Sequence, residues 1–218
     1  MSKSAIGSSR VKETRAEAIS TAVAALKRGE VIAFPTETLY GLGADALNPS
    51  AVEKVFQLKG RDAANPIPVL IADRAMLVNL VSEIPPLAEK LIARFWPGPL
   101  TIVFPARRDM PRPLVNPTGG IGVRLSSQPI AAELIQALGA PLTATSANPS
   151  GKPPARTAQE AREYFSGRID IFIDGGRLTS KAGSTVVEMV EDSIRIIREG
   201  EIDRSQLADV LGAERILA

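Results

Sequence analysis

The chain has 218 residues, with 26 Lys or Arg and 24 Asp or Glu, so its formal net charge is only +2. It contains no Cys and no His, which excludes disulfides, thiolate nucleophiles, Cys-ligated metals and the commonest general base. Almost nothing titrates between the carboxylates and the amines, so two surplus charges suffice for a basic isoelectric point. Whole-chain charge is therefore weak evidence for nucleic-acid binding, and the length and apolar content predict one folded domain.

The longest apolar runs are interrupted by Pro, Gly or charge well before about 18 residues, so no membrane-spanning helix is predicted. The segment Met1 to Lys12 is polar and lacks the apolar stretch of a secretory signal. We therefore expect a cytoplasmic protein with no membrane partner.

The first part of the chain predicts an alternation of helices and strands. Apolar residues at helical spacing indicate a helix over residues 15–28, and a short apolar run indicates a buried strand over 31–34. Ser50 and Glu53 form a capping-box pattern that predicts a helix from there to Leu58.

The middle of the chain continues the alternation. Asp73 is a predicted cap of a short helix, and the WPGP sequence at 96–99 predicts a turn. Apolar strands are predicted at 67–72, 100–104, 120–125 and 141–145. Helices are predicted at 88–95 and around Ile130, Leu134 and Leu138.

The last part predicts a second capping box at Thr157 and Glu160, then a strand at 169–173. An antiparallel hairpin is predicted from strands at 185–189 and 194–198. The whole pattern predicts a single-domain α/β fold, in which a twisted, mixed parallel and antiparallel sheet is flanked by helices.

Two loops are rich in residues suited to small polar ligands. PTETLYGLG at 35–43 follows a strand and is either an ordinary connection or a ligand site, because ligands of open α/β sheets bind beyond the carboxyl ends of strands. KGR at 59–61 either complements a helix dipole or binds an anion, since Gly lets the backbone approach while two cations pair with phosphate.

A third loop, TATSANPSG at 143–151, takes a predicted strand directly into small hydroxyl residues. A solvated loop is the alternative, but exposed amides among small side chains favour a site for nucleotide phosphates. Arg124 and Arg198 lie near the ends of predicted strands, and Ser184 begins another. If these strand ends meet the loops at one sheet edge, they supply cations and donors without any His.

Taken together, these segments resemble the family of threonylcarbamoyl-AMP synthases, which share a YrdC/Sua5-like domain. The resemblance runs from about Ala16 to Glu199 and rests on the ordered motifs PTETLYGLGADA, KGRDAANP, FWPGPLT, GVR, TSANPSG, GST and IREG. It implies the short, single-domain form, with the domain at residues 12–201 and a short helical tail at 202–218. It also implies an open basic cavity.

The resemblance implies a nucleotidyltransferase that forms threonylcarbamoyl-AMP and diphosphate from L-threonine, bicarbonate or CO2, and ATP. Mg²⁺ is expected to arrive with ATP, without dedicated protein ligands. The product serves the N6-threonylcarbamoyladenosine modification at position 37 of tRNA, through a downstream tRNA threonylcarbamoyl-transferase complex, and weak contact with tRNA is expected. In this chemistry a carbamate oxygen attacks the α-phosphorus and diphosphate leaves, so no Cys, His or covalent nucleophile is required.

Carried over by motif position, the resemblance places L-threonine near Thr38, Arg124, Ala144 and Ser184. It places ATP near Lys59, Arg61, Asn65, Gly120, Ser146, Pro154 and Arg198. Lys59 and Arg61 are the expected catalytic residues. Of this set, Ala144, Gly120 and Pro154 can contribute only backbone groups or shape.

One position departs from the family pattern, because relatives often carry a His in the strand after the KGR loop, where this chain has Leu70. Leu cannot make the same polar contact with threonine.

Two other functions are compatible with the residues. The chain is alternatively an RNA-binding or ribosome-associated module that uses the basic cavity, although its aromatic residues are few and its net charge is small. Related domains in much longer maturation proteins instead form carbamoyl-adenylate from carbamoyl phosphate.

Overall fold

The computed structural model describes residues 14–60, 65–180 and 182–217. The described helices are α1 Arg15–Lys27, α2 Pro49–Lys59, α3 Arg74–Leu77, α4 Pro86–Phe95, α5 Pro129–Leu138, α6 Ala158–Phe165 and α7 Arg204–Leu211. The described strands are β1 Ile32–Pro35, β2 Tyr40–Gly43, β3 Val69–Ile71, β4 Leu100–Pro105, β5 Gly120–Leu125, β6 Leu142–Thr143, β7 Thr145–Ser146, β8 Ile171–Phe172, β9 Thr185–Val190, β10 Ser193–Arg198 and β11 Ile216–Leu217. The predicted α/β class with mixed strand directions is confirmed.

The strands form two sheets where the sequence predicts one. A four-stranded sheet has the order β7-β2-β1-β8, and a seven-stranded sheet has the order β11-β10-β9-β4-β5-β3-β6. The predicted strand at 141–145 divides between them, because β6 pairs with β3 of the larger sheet and β7 pairs with β2 of the smaller. Ala144 lies at this crossing, where its N–H donates to the carbonyl of Pro68 at 2.9 Å.

At two helices, the hydrogen bonds that cap the first turn differ from the predicted ones. Helix α2 begins at Pro49, and the Asn48 side chain accepts the N–H of Ala51 at 3.2 Å, so the predicted capping box at Ser50 and Glu53 is wrong. Asn is a strong cap and Pro is favoured at the first helical position, and together they outcompete the later pattern.

Before α6, Thr157 is the cap as predicted, and its hydroxyl accepts the N–H of Glu160 at 3.1 Å. The Glu160 carboxylate accepts the N–H of Arg156 at 2.6 Å, one residue before the cap, so only the Thr157 half of the predicted capping box is confirmed. The short α3 is capped by Asp73 as predicted.

Helices cover the sheets around two apolar clusters. The larger cluster includes Phe56, Phe104 and Phe165, and the smaller brings α1 and α5 together around Phe34. The predicted tail contains α7, which contributes Leu207 to the larger cluster. It also contains β11, which pairs in parallel with β10 at the edge of the seven-stranded sheet. None of the helices in the described ranges is long and apolar enough to cross a bilayer.

Candidate functional site

A cavity of about 570 Å³ is lined by strands of both sheets. From the smaller sheet come β2 and β7, and from the larger come β4, β5, β9 and β10. Strands of two sheets therefore place side chains that are far apart in sequence around one space. The cavity is lined by eight of the predicted site residues, namely Thr38, Asn65, Gly120, Arg124, Ala144, Ser146, Ser184 and Arg198.

The loop after β1 contributes two buried hydroxyls to the cavity wall. The Thr36 hydroxyl donates to the carbonyl of Leu39 at 2.7 Å and lies 3.1 Å from the Thr38 hydroxyl. With its single proton committed to Leu39, Thr36 must accept the proton of Thr38. Arg124 Nη1 donates to Thr38 at 3.3 Å, so Thr38 is oriented from both sides.

Arg124 is 5% exposed and forms a buried ion pair with Glu37, whose Oε1 lies 2.7 Å from Nη1. The Ser126 hydroxyl donates to the other carboxylate oxygen of Glu37. Burial lowers the pKa of the Arg124 guanidinium, and the charge and hydrogen bond of Glu37 act in the opposite direction. A buried cation with a carboxylate partner results, and it lies at the cavity wall.

Arg198, at the end of β10, contacts Ser184, which directly precedes β9. Its Nη2 donates to the carbonyl of Ser184 at 2.8 Å and to the Ser184 hydroxyl at 3.1 Å. That hydroxyl also lies 2.9 Å from the hydroxyl of Thr101 on β4. The β-hairpin, which was predicted, thus brings together two of the predicted site residues, and Thr101 is a neighbour that the sequence analysis did not single out.

Lys59 ends α2, and its ammonium group lies against the loop after β7 rather than on the cavity lining. It donates to the carbonyls of Ser146 at 2.6 Å and Asn148 at 2.8 Å, and it lies 3.4 Å from the Ser146 hydroxyl. The side chain of Asn148 in turn donates to the carbonyl of Lys152 at 2.6 Å. Lys59 of the KGR segment therefore meets the TSANPSG segment and lies behind the loop that carries Ser146.

Pro154, another predicted site residue, is not among the described residues that line the cavity. Pro154 is exposed. Arg61 lies outside the described residues. Leu70, at the position where relatives carry His, is fully buried in the smaller apolar cluster.

Asn116 also lines the cavity, although the sequence analysis did not single it out, because NPTG at 116–119 indicates only a turn. Its Oδ1 accepts the N–H groups of Thr118 at 3.0 Å and Gly120 at 2.6 Å, and so shapes the entry to β5. Gly120 is needed there because a Cβ would lie 2.6 Å from the Val103 side chain.

Tyr40 is a second cavity residue with a wider role. Its ring is fully buried, and its hydroxyl donates to the carbonyl of Gly176 at 2.8 Å and accepts the N–H of Gly175 at 3.0 Å. Burial raises the pKa of this hydroxyl, so it remains a protonated donor. The segment leading from β8 to β9 is thereby tied to β2.

The described charged residues that line the cavity are Arg124 and Arg198. Within the described ranges, no three Asp or Glu side chains are grouped as a metal site would need. A cation in this cavity would thus find neutral oxygens and arginines, a donor set that suits anions better.

Comparison with known proteins identifies the family. Residues 24–200 match the Sua5/YciO/YrdC family model, described as "Telomere recombination", so the chain belongs to this family. It is 41% identical over 198 residues to a threonylcarbamoyl-AMP synthase of Pyrococcus abyssi, covering 91% of this chain and 58% of that one. It is 35% identical to a putative threonylcarbamoyl-AMP synthase of Mycobacterium tuberculosis, covering 93% of each.

The fold agrees with this family. The crystal structure of P. abyssi Sua5 complexed with L-threonine superposes with a TM-score of 0.88 at 39% identity, covering 94% of this chain and 60% of that one. The chain thus spans about three fifths of the length of its Pyrococcus relative.

Proposed function

We propose that the chain is an L-threonylcarbamoyladenylate synthase, a nucleotidyltransferase that makes threonylcarbamoyl-AMP from L-threonine, bicarbonate or CO2, and ATP. The observation that carries the proposal is that one cavity gathers eight of the eleven predicted substrate-binding residues. The names of relatives that cover nearly all of this chain support the same activity.

The threonine end of the site is proposed at Arg124 and Thr38. Nη1 of Arg124 is occupied by Glu37 and Thr38, which leaves the other guanidinium N–H groups for a ligand carboxylate. The Ser184 hydroxyl and the backbone at Ala144 complete this end of the cavity. The crystal structure of the P. abyssi relative complexed with L-threonine supports a threonine site in this fold.

The ATP end is proposed along Asn65, Gly120, Ser146 and Arg198, all of which line the cavity. Arg61 of the KGR segment is proposed to join them as a phosphate contact. We propose that Lys59 assists by fixing the carbonyls of the Ser146 loop, so that the Ser146 hydroxyl keeps its orientation toward phosphate.

Mg²⁺ is proposed to enter with ATP. The described cavity lining offers arginines and neutral oxygens, so the ion would be bound mainly by phosphate oxygens and water. It would supply charge neutralisation on the triphosphate when bound.

In the proposed reaction, the threonine amine and bicarbonate condense with loss of water, or the amine adds to CO2, to give a carbamate. A carbamate oxygen then forms a bond to the α-phosphorus as the bond to the β-phosphate oxygen breaks, and diphosphate leaves. The chain contributes orientation and charge stabilisation through Arg124, Arg198 and the Ser146 loop, and neither step needs a covalent enzyme nucleophile.

The product is a reactive mixed anhydride, and we propose that a tRNA-modifying enzyme consumes it. We propose position 37 of tRNA as the final acceptor, through a threonylcarbamoyl-transferase complex. Weak tRNA contact and a cytoplasmic location remain predictions.

The proposal is tested by incubating the protein with ATP, Mg²⁺ and bicarbonate and measuring diphosphate release across a panel of amino acids. L-Threonine is expected to stimulate release specifically. Serine should substitute poorly, because the loss of one methyl group from a fitted pocket costs about 1 to 3 kcal/mol. Diphosphate release that is indifferent to threonine contradicts the proposal, and RNA binding without any such release favours the RNA-binding alternative.

A further inference from the structure

The ion pair between Glu37 and Arg124 joins two elements that are 87 residues apart in sequence. Glu37 lies in the loop after β1, and Arg124 lies on β5 of the other sheet. Both side chains are nearly enclosed, at 13% and 6% exposure. Enclosure keeps the guanidinium in one place, because a buried cation that turns away from its carboxylate loses its compensating charge.

The donors of Arg124 divide into two sets. The two N–H groups of Nη1 point to Glu37 Oε1 at 2.7 Å and to Thr38 Oγ1 at 3.3 Å. Nε and Nη2 donate to none of the described residues. Among those residues, every fully buried side-chain nitrogen has a hydrogen-bond partner, so these two atoms must be accessible from the cavity that Arg124 lines.

The carboxylate of Glu37 is itself fixed at both oxygens. Oε1 accepts from Arg124, and Oε2 accepts from the hydroxyl of Ser126, two residues further along the same chain segment. Because Ser126 follows β5 directly, the Glu37 carboxylate and the Arg124 guanidinium are both held in place relative to β5. This arrangement fixes the plane of the guanidinium as well as its position.

We infer that Glu37 is a positioning residue for substrate binding. It binds Nη1 of the Arg124 guanidinium, so that the edge formed by Nε and Nη2 faces the cavity. That edge receives the substrate carboxylate through two parallel hydrogen bonds. Planar guanidinium and carboxylate groups match in this geometry, which a freely rotating Arg does not present. The inference rests on the proposed function and names the part of the substrate that Arg124 contacts.

The test uses Glu37→Ala in the full chain, with separate KM values for L-threonine and ATP. The KM for threonine is expected to rise about tenfold, the value of one charged hydrogen bond, while the KM for ATP stays within about twofold. L-Threoninamide lacks the carboxylate, so its binding to the wild type and to Glu37→Ala should be equal within about twofold by calorimetry. Glu133→Ala is the matched control, since Glu133 pairs with Arg15 in an exposed ion pair away from the cavity lining.

Two further variants keep the test decisive if Glu37→Ala does not fold. Glu37→Gln retains an oxygen that accepts from Nη1, so it should recover most of the threonine affinity. Ser126→Ala removes one support of the carboxylate without changing charge, and should raise the KM for threonine about threefold and leave the KM for ATP unchanged.

The inference is overturned if folded Glu37→Ala keeps the wild-type KM for threonine, or if the KM values for threonine and ATP rise together. Tighter threonine binding in either Glu37 variant also overturns it, because Glu37 would then act as a competing anion. If Glu37→Ala is unfolded, an unchanged KM for threonine in Ser126→Ala overturns it. Wild-type protein that shows no threonine-dependent diphosphate release instead contradicts the proposed function, so the two failures are distinguishable.

Discussion

The ammonium of Lys59 lies 2.6 Å from the carbonyl oxygen of Ser146, which joins the end of α2 to the loop after β7. Lys59 is 4% exposed, and its ammonium also donates to the carbonyl of Asn148. A cation on two neutral carbonyls stabilises a tight loop and sets the orientation of its side chains. The Ser146 hydroxyl, on the cavity wall, depends on this contact.

Lys59→Met should therefore lower stability as well as ATP binding. The buried carbonyl of Asn148 loses its Lys59 donor, whereas the carbonyl of Ser146 keeps the N–H of Asn148. One buried unsatisfied group costs about 1 to 3 kcal/mol. Thermal unfolding and the KM for ATP measure the two effects. Lys54→Met is the control, since Lys54 donates to one carbonyl, that of Gly29, away from the cavity lining. Unchanged stability in Lys59→Met would contradict the positioning role.

Ser146→Ala should reduce activity only modestly, by about the value of one hydrogen bond, roughly 0.5 to 1.5 kcal/mol. The chain has no His to activate a serine nucleophile, and the Ser146 hydroxyl is 3.4 Å from the Lys59 ammonium. Steady-state rates give the size of the loss, and mass spectrometry of quenched turnover mixtures detects any adduct. An adenylyl or acyl group on Ser146, or a rate loss near a million-fold, would show a nucleophile instead.

Arg198→Ala should weaken ATP binding more than threonine binding. The charged hydrogen bonds of such a residue are worth about 1.5 to 3 kcal/mol each. Some loss of threonine affinity is expected too, because Arg198 orients Ser184. Calorimetric titration of both ligands distinguishes the two effects. Arg195→Ala on the same strand is the control, because the Arg195 side chain is 50% exposed and is not among the residues that line the cavity. ATP affinity equal to the wild type would refute the assignment.

Tyr40→Phe should destabilise the fold by about 1 to 3 kcal/mol, because the carbonyl of Gly176 and the N–H of Gly175 lose their partner. The raised pKa of Tyr40 means that its neutral form is favoured in the folded state. Its contribution is present below the unfolded pKa of about 10 and is lost as pH rises through the folded value. Denaturant titration at neutral and alkaline pH should show the wild-type advantage over Tyr40→Phe shrinking; an advantage that grows with pH would contradict this.

Local patterns in the sequence predicted the strands best where one apolar run belongs to one sheet. The strand 120–125 was predicted with its exact bounds, and the hairpin that carries Arg198 was predicted within two residues. The division of the strand at Ala144 was not predictable, because it depends on pairing with two distant partners. Local alternation carries no information about which partner each half will find.

The same reasoning explains the residues that were missed. Glu37 lies inside a motif that was recognised for its hydroxyls, and its role appears only when β5 places Arg124 beside it. The sequence around Asn116 predicts only a turn, and the hydrogen bond between its side chain and the N–H of Gly120 is visible only in the fold. A lone carboxylate in a hydroxyl-rich loop between buried segments is the one signal that could have indicated Glu37.

The most direct test is to identify the product formed from ATP, L-threonine and ¹³C-labelled bicarbonate by mass spectrometry. The account predicts an adenylate that contains AMP, threonine and one ¹³C atom, formed together with diphosphate. ATP turnover that yields no labelled adenylate, or an adenylate that lacks threonine, would contradict it.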